Sequence, residues 1–162
     1  MKKLSKEKKN ILKLCLISFG ITIAIFLIVS SLANCNPFLG GVLWGGDLPD
    51  EYLSFFQYLR RLILGNWNSL QFSFANGLGA DMAGNISYYL ASPFNLLILL
   101  FPASQINLAL YVIIIIKLGL ASAAFTFLIL NFFNFKNQIY SVFLGIIYGL
   151  SGYCIGYGAN LM

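Results

Sequence analysis

The chain has 162 residues, of which 59% are hydrophobic and only 9% charged, with a formal net charge of +5 and no histidine. A soluble domain carries roughly 25% charged residues, so this composition excludes an ordinary water-soluble enzyme and describes a chain built for a bilayer. The missing imidazoles also remove histidine-based triads and most zinc sites, and Cys15, Cys35 and Cys154 show no metal-ligand spacing.

The basic charge gathers at one end. Lys2, Lys3, Lys6, Lys8, Lys9 and Lys13 precede or open the first apolar run. Such lysines are retained on the cytoplasmic side of a membrane and meet anionic lipid headgroups. No basic groove with interleaved aromatics follows, so no nucleic-acid partner is expected. Residues 1–10 are expected as a cytoplasmic tail, and 11–33 as a first transmembrane span. A secretory signal ending at Ser31-Leu32-Ala33 is the alternative for this run.

Residues 34–105 are expected to form a large extracytoplasmic loop. Asn36-Pro37 and Gly40-Gly41 mark irregular backbone. Asp47, Pro49, Asp50 and Glu51 then open a helix over 49–64, with an acid as cap, proline in the first turn and acids at the positive end of the dipole. Tyr52, Phe55, Phe56, Leu59, Leu62 and Ile63 recur at intervals of three and four and form one apolar face. The segment is too short and polar to span, so it is expected to lie in the interface. Leu70, Phe72 and Phe74 alternate with polar residues, as in an extended stretch, and Asn76 to Asp81 reads as a tight turn. Ser92-Pro93 opens a helix over 93–101 with serine as its cap. At about half the ~20 residues a span needs, it is expected to be re-entrant or interfacial. If 86–104 spanned instead, every later segment would invert.

Residues 106–133 form a second expected span, 134–138 a cytoplasmic turn carrying Lys136, and 139–157 a third span. The fold class is therefore all-α: multi-pass transmembrane helices with interfacial and re-entrant helices in the first outer loop. The chain is expected to be the N-terminal part of a longer protein in a cell membrane, with its N-terminus cytoplasmic.

Acids are scarce, and Asp47, Asp50 and Glu51 fall within five residues. An acid at an interface can accept a proton; an acid at a helix start can equally be a cap. Asp81 reads either as a turn residue or as a ligand for substrate or a divalent cation. No DxD motif is present, so a cation is not required and no cofactor is assigned. Arg60 and Arg61 suit a lipid phosphate or simple headgroup anchoring. Lys117 sits about 11 residues into the second span, where a lysine costs about 2.5–3.5 kcal/mol, so it is expected to face protein, water or a substrate phosphate unless it snorkels.

Three stretches carry a resemblance: GDLPDEYLSFFQYLRR from Gly46, FSFANGLGADMAGNISYYLASPFNLLILLFP from Phe72, and KLGLASAAF from Lys117. Together, over about residues 40–130, they resemble the N-terminal part of the YfhO family of bacterial membrane proteins, which look like GT-C glycosyltransferases. The resemblance implies sugar transfer at the outer membrane face. The donor would be a polyprenyl-phosphate-linked sugar and the acceptor a cell-surface polymer such as lipoteichoic acid. It implies a catalytic role for Asp47 and, less directly, a role for Glu51; Asp81, Lys117, Arg60 and Arg61 are added as substrate-binding candidates from their own chemistry. Many relatives have Gln-Tyr in place of Glu51-Tyr52, which weakens the carry-over to Glu51. The rival reading is a non-enzymatic multi-pass protein, either a transporter segment or an assembly scaffold, since broken helices and a mid-span lysine also serve transport.

Overall fold

The computed structural model describes residues 6–41, 52–65, 72–74, 79, 81–133 and 137–159. Among these residues the fold is helical and contains no β-strand. The α-helices are α1 (Lys6–Leu32), α2 (Leu53–Ile63), α3 (Met82–Asn85), α4 (Ile106–Phe132), α5 (Ile139–Gly149) and α6 (Gly152–Ala159). Two helices, Glu7–Leu32 and Ala103–Phe132, are long and apolar enough to cross a membrane. The chain forms two compact units. One comprises residues 1–34 and 114–158, the other residues 35–113 and 159–162.

The first unit reverses the burial pattern of a soluble bundle. Along α1, Ser18, Thr22 and Ser30 are buried while Leu12, Leu16, Ile28 and Val29 are exposed. On α4, Ser122 and Thr126 are buried while Phe127 and Leu128 face outward. On α5, Ser141, Gly145 and Gly149 are buried, and Phe143 and Ile147 are exposed. Lipid removes the hydrophobic drive between helices, so small residues that let backbones approach do the packing and large apolar ones meet the acyl chains.

The approach of α4 to α5 is close enough to test atom by atom. A Cβ added at Gly145 would overlap Thr126 Oγ1 and lie 2.8 Å from the Ser122 carbonyl oxygen. One added at Gly149 would lie 2.8 Å from Ser122 Cβ and 3.1 Å from the Leu118 carbonyl oxygen. Backbone atoms cannot step aside as a flexible side chain can, so glycine is required at both positions. Phe125 and Tyr148 stack beside this seam with ring centroids 4.4 Å apart. On the other side of α4, Gly119 meets Phe19 and Ile23 of α1.

These contacts fix the helix directions within the unit. The first turns of α1 share a cavity with the last turns of α4, so the two run antiparallel. The Asn10 Nδ2 group donates to Gln138 Oε1 at 2.7 Å. The start of α1 and the start of α5 therefore lie at the same end of the unit.

One expected helix is divided. The run over 139–157 breaks after Gly149. Leu150 caps α5 through its N–H to the carbonyls of Ile146 and Tyr148, and Ser151 Oγ accepts the Cys154 N–H at 3.2 Å. A hydroxyl acceptor for a first-turn N–H is the usual device for starting a helix, so the serine restarts the chain as α6. Hydropathy averaged over the run hides this break.

In the second unit, α2 buries Phe56, Leu59 and Leu62 together with Tyr52. Their spacing makes one face, as the periodicity predicts, with Phe55 and Ile63 half-exposed at its flanks. This face packs on a π-turn, Ile86–Leu90, and a 3-10 helix, Pro93–Leu100. Residues 49–51, at the expected start of the α2 helix, lie outside the described residues. Ser92 occupies the cap position before Pro93 with extended backbone, but its side chain makes no capping bond; the proline's missing N–H removes one of the donors a cap would serve. Eight residues of 3-10 helix rise about 2.0 Å each, or about 16 Å in all, against a hydrocarbon core of about 30 Å.

The small-residue seam generates a direct prediction. Gly145→Ala is expected to destabilise the protein by about 1–3 kcal/mol, the usual cost of overpacking. Gly20→Ala, where a Cβ meets nothing within 4 Å, is expected to be neutral or slightly stabilising. Thermal unfolding of both variants in detergent measures the contrast; equal midpoints would remove the seam from the account of stability.

Candidate functional site

A polar concavity in the second unit is built by the C-terminal turns of α2 and the start of the helix that becomes α4. Gln57, Arg60 and Arg61 line it from one side, Ala103 and Ser104 from the other, around about 280 Å³. The arginines arrive together because Leu59 and Leu62 on the same helix are buried, which turns the intervening pair outward. Arg60 is half-buried and Arg61 exposed. The Arg60 Nε–H donates to the Phe101 carbonyl at 3.2 Å, fixing one edge of its guanidinium and leaving four of its five N–H donors uncommitted by that bond. Among the described residues no carboxylate pairs with either arginine.

Pro102 is the residue before the first turn at Ala103–Gln105, and its backbone is extended, with ψ 158. The Gln105 N–H returns to the Pro102 carbonyl at 2.9 Å. The first N–H groups of such a helix have no acceptor one turn back and carry its positive dipole end. Two guanidiniums, an amide, a hydroxyl and a helix start therefore surround one space. That set of donors suits an anion with several oxygens.

The remaining expected site residues are placed as follows. Asp81 is exposed and caps α3, its Oδ1 accepting the Ala83 N–H at 2.8 Å. Of the two readings open for Asp81, turn residue or ligand, the structure supplies a local hydrogen bond for the first. Asp81 does not line the arginine cavity. Lys117 lies on α4 in the first unit, half-buried. Asp47 and Glu51, with Asp50, lie outside the described residues, so Glu7 and Asp81 are the acids whose surroundings are described.

Several contributors were not signalled as site residues. Gln57 lies one turn before Arg60 and Arg61 on α2, a spacing that could have pointed to it; Ser104 looks like an ordinary interfacial residue in sequence, and only the fold brings it beside the arginines. Asn95 is fully buried, and its Nδ2 donates to the Leu90 carbonyl at 3.2 Å, satisfying a backbone acceptor at the end of the π-turn. Its one available signal is an amide inside the apolar run after Pro93. The turn before α3 has a comparable support: Gly79 has φ +111, and a Cβ there would collide with the Phe72 ring. That ring in turn meets Phe74 edge-on at 5.1 Å.

Helices that bury hydroxyls and glycines while presenting leucine, isoleucine and phenylalanine outward define a helical integral membrane protein. A family model described as bacterial membrane protein YfhO matches residues 18–162, and the chain belongs to that family. No curated protein and no solved structure matches the chain.

The Asp81 cap is open to test. Asp81→Ala is expected to cost about 1 kcal/mol, and Asp81→Asn much less, because asparagine also caps well. Chemical unfolding of the two variants would separate the cap bond from the negative charge; equal losses would show that the charge is what the fold uses.

Proposed function

We propose that this chain forms part of a membrane glycosyltransferase of GT-C type. It moves a sugar from a polyprenyl-phosphate donor to a cell-surface polymer such as lipoteichoic acid. The observation that carries the reading is the arrangement of the first unit. The bond from Asn10 to Gln138 joins the lysine-rich start of α1 to the segment that follows Lys136 in sequence. Basic residues near one end of a membrane bundle support a cytoplasmic end there; in this reading α1 runs outward and the chain after it continues on the outer face. There the donor's sugar and the acceptor polymer meet. The short 3-10 segment at 93–100 supports a loop that dips into the interface without crossing it.

In this reading Asp47 accepts the proton of the acceptor hydroxyl. The freed oxygen attacks the anomeric carbon, the bond to the donor phosphate breaks, and the phosphate leaves with the electron pair. Glu51 and Asp81 orient the sugar. The arginines at 60 and 61 offset negative charge on the donor and the leaving phosphate.

The catalytic assignment is tested by Asp47→Asn, which keeps size and capping ability and loses the base. Surface-polymer glycosylation, read by mass spectrometry in cells carrying the variant, is expected to disappear while protein amounts stay near normal. Asp50→Asn is expected to be milder, since a carboxylate at a helix start contributes only about 0.3–1 kcal/mol. Retained glycosylation in Asp47→Asn would reduce that residue to a helix cap.

The rival, a transport role, draws on one observation: the apolar run after Gln138 is interrupted and re-capped at Leu150–Ser151, as in transporters with discontinuous helices. A wild type that changes no polymer would favour it.

Orientation has its own test. With Cys15, Cys35 and Cys154 replaced, single cysteines are placed at Gly77 and Asn137. An impermeant thiol reagent applied to intact cells is expected to label position 77 and spare 137. The opposite pattern would invert the topology and place the acids inside.

A further inference from the structure

We propose that the cavity formed by Gln57, Arg60, Arg61, Ala103 and Ser104 is a binding site for the phosphate anion of a membrane lipid. This does not rest on sugar transfer; it rests on the charge, the donors and the position of the cavity.

Among the described residues the lining charge is one-sided: both guanidiniums line the space and no described carboxylate does. Arginine stays protonated under all ordinary conditions, so the two charges repel each other and Arg60 is half-buried with no counterion among the described residues. Withdrawing a charge from water without a partner is costly, and an anion between the arginines removes both penalties. The donors are also held in place. Arg60 is fixed through Nε to the Phe101 carbonyl, Ser104 adds a hydroxyl, and the first turn of a helix adds its N–H groups. The cavity, at about 280 Å³, has room for much more than a single water molecule.

Position selects the ligand class. The helix starting at Ala103 is apolar and, at 30 residues, long enough to cross a membrane. The cavity sits at its first turn, which is where the hydrocarbon begins and lipid phosphates lie. On the other wall, α2 is amphipathic, with its apolar face buried within the second unit. A phosphate at this level has its lipid tail already beside an apolar helix. Two lipids share that chemistry: a polyprenyl phosphate and an anionic phospholipid.

The test uses the full chain purified in neutral detergent, with lipid binding followed by native mass spectrometry. The probes are a polyprenyl phosphate, phosphatidylglycerol, phosphatidylcholine and inorganic phosphate. Wild type is expected to retain the polyprenyl phosphate or phosphatidylglycerol in preference to phosphatidylcholine, and inorganic phosphate is expected to displace it. Arg61→Gln removes a charged donor with no bond to another described residue, and is expected to weaken retention about tenfold or more, the size of a lost charge-assisted hydrogen bond. Ser104→Ala is expected to weaken it less, and Arg61→Lys to restore part of it. Replacing Lys3 and Lys9 with glutamine is expected to leave binding unchanged, which separates the cavity from the basic tail. Preference for the polyprenyl phosphate identifies a carrier-lipid site, and equal retention of phosphatidylglycerol a headgroup site; either supports the proposal. Wild-type binding in both Arg61→Gln and Ser104→Ala would overturn it, as would loss of all binding in the tail variant. None of these readouts depends on glycosylation, so the site and the transferase reading succeed or fail separately.

Discussion

The contact on which the first unit depends is the approach of α5 to α4 at Gly145 and Gly149. In water, two helices are pressed together by the apolar area they remove from solvent. In lipid that drive is absent, because acyl chains solvate leucine as well as another leucine does. What remains is dispersion between closely fitted atoms, and it decays over a fraction of an ångström. A glycine opposite the Ser122 carbonyl shortens the distance between backbones in a way no larger residue permits. The same logic puts Ser18 and Thr22 on the packed side of α1 and leaves Leu12 and Leu16 for the membrane.

The second unit follows the opposite rule. Its core is made of large side chains, among them Tyr52, Phe56, Met82, Ile98 and Tyr111, all essentially inaccessible. Polar side chains in this unit serve its irregular backbone, as Asn95 does at the Leu90 carbonyl, Arg60 at the Phe101 carbonyl and Asn36 at the Phe38 N–H. Irregular backbone near a membrane is tolerated only when its polar atoms are satisfied by protein or water. Asn95 and Arg60 supply that satisfaction at the two ends of the 3-10 segment. The arginine cavity is thus a by-product of a structural need: the side chain that holds Phe101 also brings its charge to the surface beside Arg61.

How much of this was legible follows from what each signal averages over. The helices over 6–32 and 106–132 were visible because each carries a stretch of about twenty residues that is predominantly apolar, a property that survives a local exception such as Lys117. The α2 face was visible because its period of three and four is local and uninterrupted. The break at Leu150–Ser151 was hidden, since serine and glycine in an apolar run barely lower its hydropathy and the capping bond to Cys154 is a matter of geometry. The seam of Ser141, Gly145 and Gly149 was readable in principle as a repeat of small residues every fourth position, but composition and span length drew attention away from it. The arginine pair was legible as a candidate from charge alone, and Gln57 lies one helical turn before it; their partner Ser104 was not legible, because it lies more than forty residues away in sequence. Asp47 and Glu51 were singled out by chemistry, and they lie outside the described residues.

The seam also constrains how this sequence can drift over evolutionary time. Glycine has no smaller replacement, so every substitution at 145 or 149 adds volume and none can be repaired on the same helix. Relief has to come from across the contact. Ser122 and Thr126 have side-chain atoms to give up, one a hydroxymethyl and the other a branched hydroxyl side chain, but the carbonyls of Ser122 and Leu118 remain, so the two helices must also part slightly. Lineages that acquire bulk on α5 should therefore be found to have shed it on α4 at these two positions, and the pair of helices would change in step where either one alone stands still.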